Sequence, residues 1–126
     1  MRISQVAAKT GLSIDTLRFY EKIGLIEPPP RDGAGRRDYP EEVLGWIRFL
    51  AQLNATGMKQ ADRVRYARLR AEGAATVPER RRMLEAHRSH MQAQMQALEE
   101  TLALMDRKVA LYRDMEHKLT QESTDV

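Results

Sequence analysis

The sequence predicts a mostly α fold, a compact N-terminal helical domain followed by one long helix that pairs in a coiled coil. Three observations predict it. Two short amphipathic helices meet at a glycine corner near Gly11, a proline- and arginine-rich loop follows, and a seven-residue apolar repeat fills the C-terminal part. The domain boundaries that follow are 1–75 for the helical domain with its linking helices, 76–120 for the dimerisation helix, and 121–126 for a disordered tail.

Each element has its own signal. Ile3, Val6 and Ala7 stand at i, i+3, i+4, and Gly11 can take the positive φ that ends this first helix. Ser13 is a good N-cap for a second helix from Ile14, with Gly24 just past its end. Leu17, Phe19, Tyr20 and Ile23 are expected on its apolar side. Such a corner is the signature of a helix-turn-helix, although many helical proteins contain one. Pro28, Pro29 and Pro30 then forbid helix, and Gly33 and Gly35 suggest a loop between two short strands. Arg31, Arg36 and Arg37 cluster there with Tyr39. Alone, the cluster is a solvated loop. Directly after a helix-turn-helix it reads as a wing, suited to phosphates and the minor groove.

A third helix from Glu41 to Gly57 carries Leu44, Ile47, Leu50, Ala51 and Leu53. A fourth runs from Lys59 to Glu72, with Arg63, Arg65, Arg68 and Arg70 read as a solvated face. Thr76 to Glu79 has capping-box spacing. Beyond it Leu84, Met91, Leu98, Met105, Tyr112 and Leu119 recur every seventh residue, and Met95, Leu102 and Val109 form a second seam. A rod of about 60 Å cannot bury that stripe on a small domain, so it needs a partner helix. In an antiparallel pair whose facing numbers sum to about 200, Leu98 meets Leu102, Met105 meets Met95, and Met91 meets Val109. The polar seam positions Arg88 and Glu116 then fall toward the ends; a parallel pair would stack each on its own copy.

Composition narrows the function. The chain has 126 residues, a formal charge of +3 and no cysteine, which excludes disulfides and thiolate chemistry. Residues 1–75 hold 13 basic against 9 acidic groups, while residues 76–126 hold 8 against 9, so the positive excess is N-terminal. A polyanionic partner fits that bias and the pI near 9.4. No apolar run has the length of a signal or membrane segment, so a cytoplasmic location without a membrane partner is expected. His87 and His90 stand near Glu85, with His117 far along the helix; these are read as solvated, with no metal and no cofactor. The seven methionines are read as adaptable seam packing. No nucleophile–base set, phosphate loop or carboxylate pair stands out, so an enzyme is not expected.

Taken together, "ISQVAAKTGLSIDTLRFYEKIGLI", "GRRDY" and "FLAQLNATGM" resemble the MerR family of bacterial transcription regulators. Residues Ser13 to Leu25 match the family's Ser-x-x-Thr-Leu-Arg-[Tyr/Phe]-Tyr-Glu-x-x-Gly-Leu core, and Gly35, Arg37 and Tyr39 match its Gly-x-Arg-x-Tyr wing. The resemblance implies a winged helix-turn-helix, two linking helices and a long antiparallel dimerisation helix. It implies that the second helix enters the major groove of double-stranded promoter DNA, two per homodimer on a palindromic site. Arg18 and Tyr20 would clamp the backbone, Ser13, Thr16 and Lys22 would face the groove, and Arg36, Arg37 and Tyr39 would serve from the wing. Tyr20 also reads as a core tyrosine, and Asp15 either rejects phosphate or accepts from a cytosine amino group. Dimerisation would rest on Leu84, Met91, Met95, Leu98, Leu102, Met105, Val109 and Tyr112. Members act with RNA polymerase by bending and untwisting widely spaced promoters. Without cysteine, a small organic effector replaces a soft metal. Trp46, Tyr66 and Met83 could line a pocket for it, or simply pack. Gln60 and Arg63 depart from the apolar residues usual in the family. Three alternatives stand beside this reading: a constitutive repressor, an architectural DNA-binding protein, and a coiled-coil interaction module.

Overall fold

The computed structural model describes residues 1–124. Among them are five α-helices and one isolated antiparallel bridge: α1 (Ile3–Thr10), α2 (Ile14–Ile23), α3 (Glu42–Ala55), α4 (Gln60–Glu72) and α5 (Val77–Thr124). The chain divides into two compact units, Met1–His87 and Arg88–Val126, so the first turns of α5 count with the globular unit.

The helix ends follow local chemistry. Gln5 accepts from the Arg2 N–H at 2.8 Å and closes the start of α1. Gly11 ends that helix at φ 75°, and its N–H donates to the Ala7 carbonyl at 2.9 Å. Ser13 caps α2 as expected, accepting from the Thr16 N–H at 3.0 Å. The core of the unit is Val6, Leu17, Ile26, Tyr39, Val43 and Ile47, so α1, α2, α3 and the wing's return close on one another.

Several details depart from expectation. The wing forms no extended ribbon; its only pairing is the single bridge between Arg31 and Arg37, with Asp32 tying the tip together. Five residues, 32 to 36, lie between the bridge partners and leave room for a turn and little else. The Thr76 box does not form, because its hydroxyl donates to the carbonyls of Leu69 (2.5 Å) and Gly73 (2.8 Å). A short 3₁₀ turn, Ala74–Thr76, leads into α5 instead. Arg63 is no part of a solvated face: it is only 8% exposed, on the buried side of α4 with Tyr66 and Ala67. Of the expected disordered tail 121–126, residues 121–124 belong to α5, and residues 125 and 126 lie outside the described residues. In the second unit every residue from Arg88 to Ser123 is exposed.

Candidate nucleic-acid interface

Helical geometry sorts the residues of α2. At 100° per residue Asp15, Arg18, Phe19 and Lys22 share one outward arc, and all four are exposed. Leu17 lies opposite, fully buried. The composition of the arc is basic and aromatic with one carboxylate. Asp15 sits 3.7 Å from Arg18, both well exposed, a pair weak enough to yield to a phosphate.

Phe19 corrects the sequence reading. Expected inside, it is 46% exposed, because two residues along a helix from Leu17 carry the side chain to the far face. The spacing Asp15–Phe19, one turn apart, was the signal that could have found it. Tyr20 is half-buried against the core, its ring 6.5 Å from that of Phe19. Thr16 is half-buried and its hydroxyl accepts from Ser13 at 2.8 Å, so these two side chains hold each other at the helix start.

The wing is joined to α2 by a carboxylate that sequence reasoning did not single out. Glu21, with its side chain nine-tenths buried, accepts from Arg37 Nε at 3.1 Å and from the hydroxyl of Tyr39. Tyr39 itself is 2% exposed, so its ring is a positioning element and not a contact surface. Burial, followed by the Glu21 carboxylate, pushes its hydroxyl above the usual 10.0, keeping it a donor. The Tyr39 N–H donates to the Met1 carbonyl at 2.7 Å, fixing the wing's return to the start of α1. At the tip, Asp32 accepts from the N–H groups of Ala34 (2.9 Å) and Arg36 (3.0 Å). The Arg36 N–H bond is the largest cause holding the Asp32 carboxyl below its ordinary value. Arg31 donates to the Gly35 carbonyl, and the exposed Arg36 side chain lies 3.6 Å from Asp32.

Of the Trp46, Tyr66 and Met83 group, the first two pack on each other. Trp46 stacks on Tyr66 with centroids 5.9 Å apart at 16°, and the Arg70 guanidinium lies 4.1 Å over the indole. The indole N–H donates to the Leu25 carbonyl at 2.7 Å, which locks the ring. Trp46 does border an open cavity of about 410 Å³, whose other walls include Ile23, Pro29, Val64, Arg68 and Arg70 but neither Tyr66 nor Met83. His87 is not simply solvated either: its Nε2 lies 2.7 Å from the Thr56 hydroxyl. Among the described residues no group of three or more His, Cys, Asp or Glu could hold a metal ion, and no helix is long and apolar enough to cross a membrane. The seam residues Met91, Met95, Leu98, Leu102, Met105, Val109 and Tyr112 are all exposed, and Leu84 is half-buried.

This arrangement has relatives. The pattern of the MerR family regulatory protein matches residues 2–39. An HTH-type transcriptional regulator of Haemophilus influenzae is 34% identical over 110 residues, covering 87% of this chain and 82% of that protein. AdhR, an HTH-type transcriptional regulator of Bacillus subtilis, is 40% identical over 91 residues, 72% of this chain and 65% of that one. Among solved structures, a MerR family transcriptional regulator from Listeria monocytogenes superposes with a TM-score of 0.88 at 31% identity, covering 99% of this chain and 95% of that chain. HiNmlR, a MerR family regulator lacking the sensor domain, was solved bound to promoter DNA; it superposes at 0.78 with 34% identity, 90% of each chain covered. The chain therefore belongs to the MerR family of transcriptional regulators.

Proposed function

We propose that this chain acts in the cytoplasm as a homodimer that binds a palindromic promoter site and, with RNA polymerase, changes transcription by deforming the DNA. One observation carries the reading. The exposed arc Asp15, Arg18, Phe19, Lys22 and the wing arginines are held as one body by Glu21, which grips Arg37 and Tyr39. A helix of that chemistry suits the major groove, where Arg18 and Lys22 meet phosphate or guanine and Phe19 meets a thymine methyl. Arg36 reaches the flanking backbone. Ser13 and Thr16 act first as the helix's own cap and touch DNA through the backbone N–H groups at its start. HiNmlR, bound to promoter DNA, supports the same use of the fold here.

The dimer follows from the rod. Its exposed apolar seam needs a second helix, and the antiparallel register summing to about 200 fills each layer without stacking like charges. The cavity beside Trp46 has the volume of a small-molecule site, which makes it the place for a small organic effector. The chemistry proposed is binding and deformation, with no catalysis. Genome-wide mapping of bound sites, followed by footprinting, tests the whole reading. Two-fold sites between the −35 and −10 elements are expected. Single asymmetric half-sites bound by one chain would remove the dimer from it, and the absence of sequence-specific binding would remove the regulator.

A further inference from the structure

Two residues of opposite charge stand where their surroundings do not account for them. Arg63 is buried on α4, and its Nε is enclosed without any hydrogen-bond partner. No carboxylate lies within ion-pair distance of its guanidinium among the described residues. Arginine cannot shed its charge, so a guanidinium whose Nε is enclosed and unpaired is costly while an apolar side chain of similar size would be tolerated. Glu116 is the converse: a carboxylate on the apolar seam of α5, at the position that Met95, Leu102 and Val109 occupy in earlier heptads. It is exposed, and among the described residues no cation pairs with it.

Contacts within the globular unit fix the height of Arg63 along α5. The Thr76 hydroxyl bonds the Leu69 carbonyl, Arg65 pairs with Glu79, and Thr56 meets His87. Pairs that descend on one side as they rise on the other mean that α4 runs antiparallel to the start of α5. Arg63, between Thr56 and Arg65, is therefore level with the stretch from Glu79 to His87. In the antiparallel register that stretch faces residues 113–121 of a second copy, with the partner's Glu116 opposite Leu84.

We propose that Arg63 receives the partner's Glu116, an ion pair between the helical domain of one protomer and the rod of the other. The pair rests on the dimer proposed above. It supplies the missing acceptor for Arg63 and a reason for a charge on the seam. It also fixes register: sliding the rods by one heptad removes Glu116 from reach and leaves both charges unpaired, the specificity role best attested for polar groups in coiled coils. A dimer joined this way transmits strain from the rod of one chain to the linking helix of the other.

A double-mutant cycle on dimer dissociation, read by sedimentation, tests it. Arg63→Met and Glu116→Gln should each weaken the dimer by about tenfold or more, and the double variant should be no weaker than either single one. Fully additive losses, or no loss in either, would overturn the pair. Glu116→Lys, an exposed change that leaves the helical domain intact, keeps the test available where Arg63→Met disturbs folding: it must weaken the dimer, and Arg63→Glu must restore it. Two rival partners have their own arms. Coupling of Glu116 to Arg88 instead of Arg63 would reassign the carboxylate. Equal thermal protection of the wild type and Glu116→Gln by inorganic phosphate or acetate would assign Arg63 to a free anion. A monomeric wild type would remove the dimer and this pair together, leaving DNA binding by α2 to be judged separately.

Discussion

The two units of this chain use apolar residues in opposite ways. In Met1–His87, Val6, Leu17, Ile26, Tyr39, Val43 and Ile47 are enclosed by their own chain. In Arg88–Val126 the described apolar residues are exposed without exception, Leu98 at 70%, although the seam is as regular as any core pattern. Apart from the Arg63 Nε, the first unit completes itself. The second states a demand, and its i,i+4 pairs such as Lys118 with Asp114 do nothing to meet it. Burial within the protomer therefore accounts for the apolar residues of the first unit and leaves the seam of the second open.

The strongest way to break this contrast is Leu98→Asp. It places a charge at the centre of the proposed pair in both copies, so the dimer dissociation constant should rise by more than about 1,000-fold. Sedimentation measures this, and the near-ultraviolet dichroism around Trp46 should stay native. A variant that still dimerises with wild-type affinity would mean that the seam is not the interface.

Leu17→Ala probes the other unit and comes next. Leu17 has no exposed surface, so truncation should cost about 2–5 kcal/mol in urea unfolding of the globular unit. The midpoint should fall at equal slope. A loss under about 1 kcal/mol would imply that α2 is held by its outer contacts and not by the core.

The same contrast explains what was legible in the sequence. Glycine corners, the Ser13 cap and the heptads are local or periodic signals, and each helix was found within a few residues. The division of labour among α2 residues was only half legible. Asp15, Arg18 and Lys22 follow from spacing, but the apolar character of Phe19 points inward while its position on the helix turns it outward. Tyr39, Glu21 and Arg63 were not legible because their roles depend on contacts across the fold. Sixteen to eighteen residues separate Glu21 from Arg37 and Tyr39, and no local pattern links them. The wing's single bridge likewise reflects a tip organised by the Asp32 side chain, where strand propensity has little part.

Arg18→Ala and Arg37→Ala sharpen the comparison at the interface, with smaller effects. Arg18 is exposed and only loosely tied to Asp15, so its loss should leave stability unchanged and reduce the salt slope of DNA binding by about one. Arg37 does two things. Its loss should weaken binding to all sequences, and it should cost about 1 kcal/mol of stability through the Glu21 bond. Affinity against salt on operator and random duplex separates them. Equal thermal stability of both variants would mean that the Glu21 grip contributes nothing to the fold.

The smallest expected effect concerns Asp32 and pH. Its folded carboxyl is held below 3.8, chiefly by the Arg36 N–H, with the Ala34 N–H and the Arg36 guanidinium acting in the same direction. A carboxylate depressed in the folded state stabilises it fully above the unfolded value, and the contribution fades as pH falls through the folded one. Between pH 7 and pH 5 nothing should change. Below about pH 4 the wing tip alone should loosen, because Asp32 bonds only within the turn and supports no core residue. Carbon-detected titration of the Asp32 carboxyl, with amide exchange at Ala34 and Arg36, reads this directly. Protection there, measured against the intrinsic exchange rate at each pH, should fall in acid before any change at Leu17 or Val43, and Asp32→Asn should show the lower protection already at neutral pH. An Asp32 that titrates at or above 3.8 would mean that the tip is organised by its backbone turn and not by this side chain.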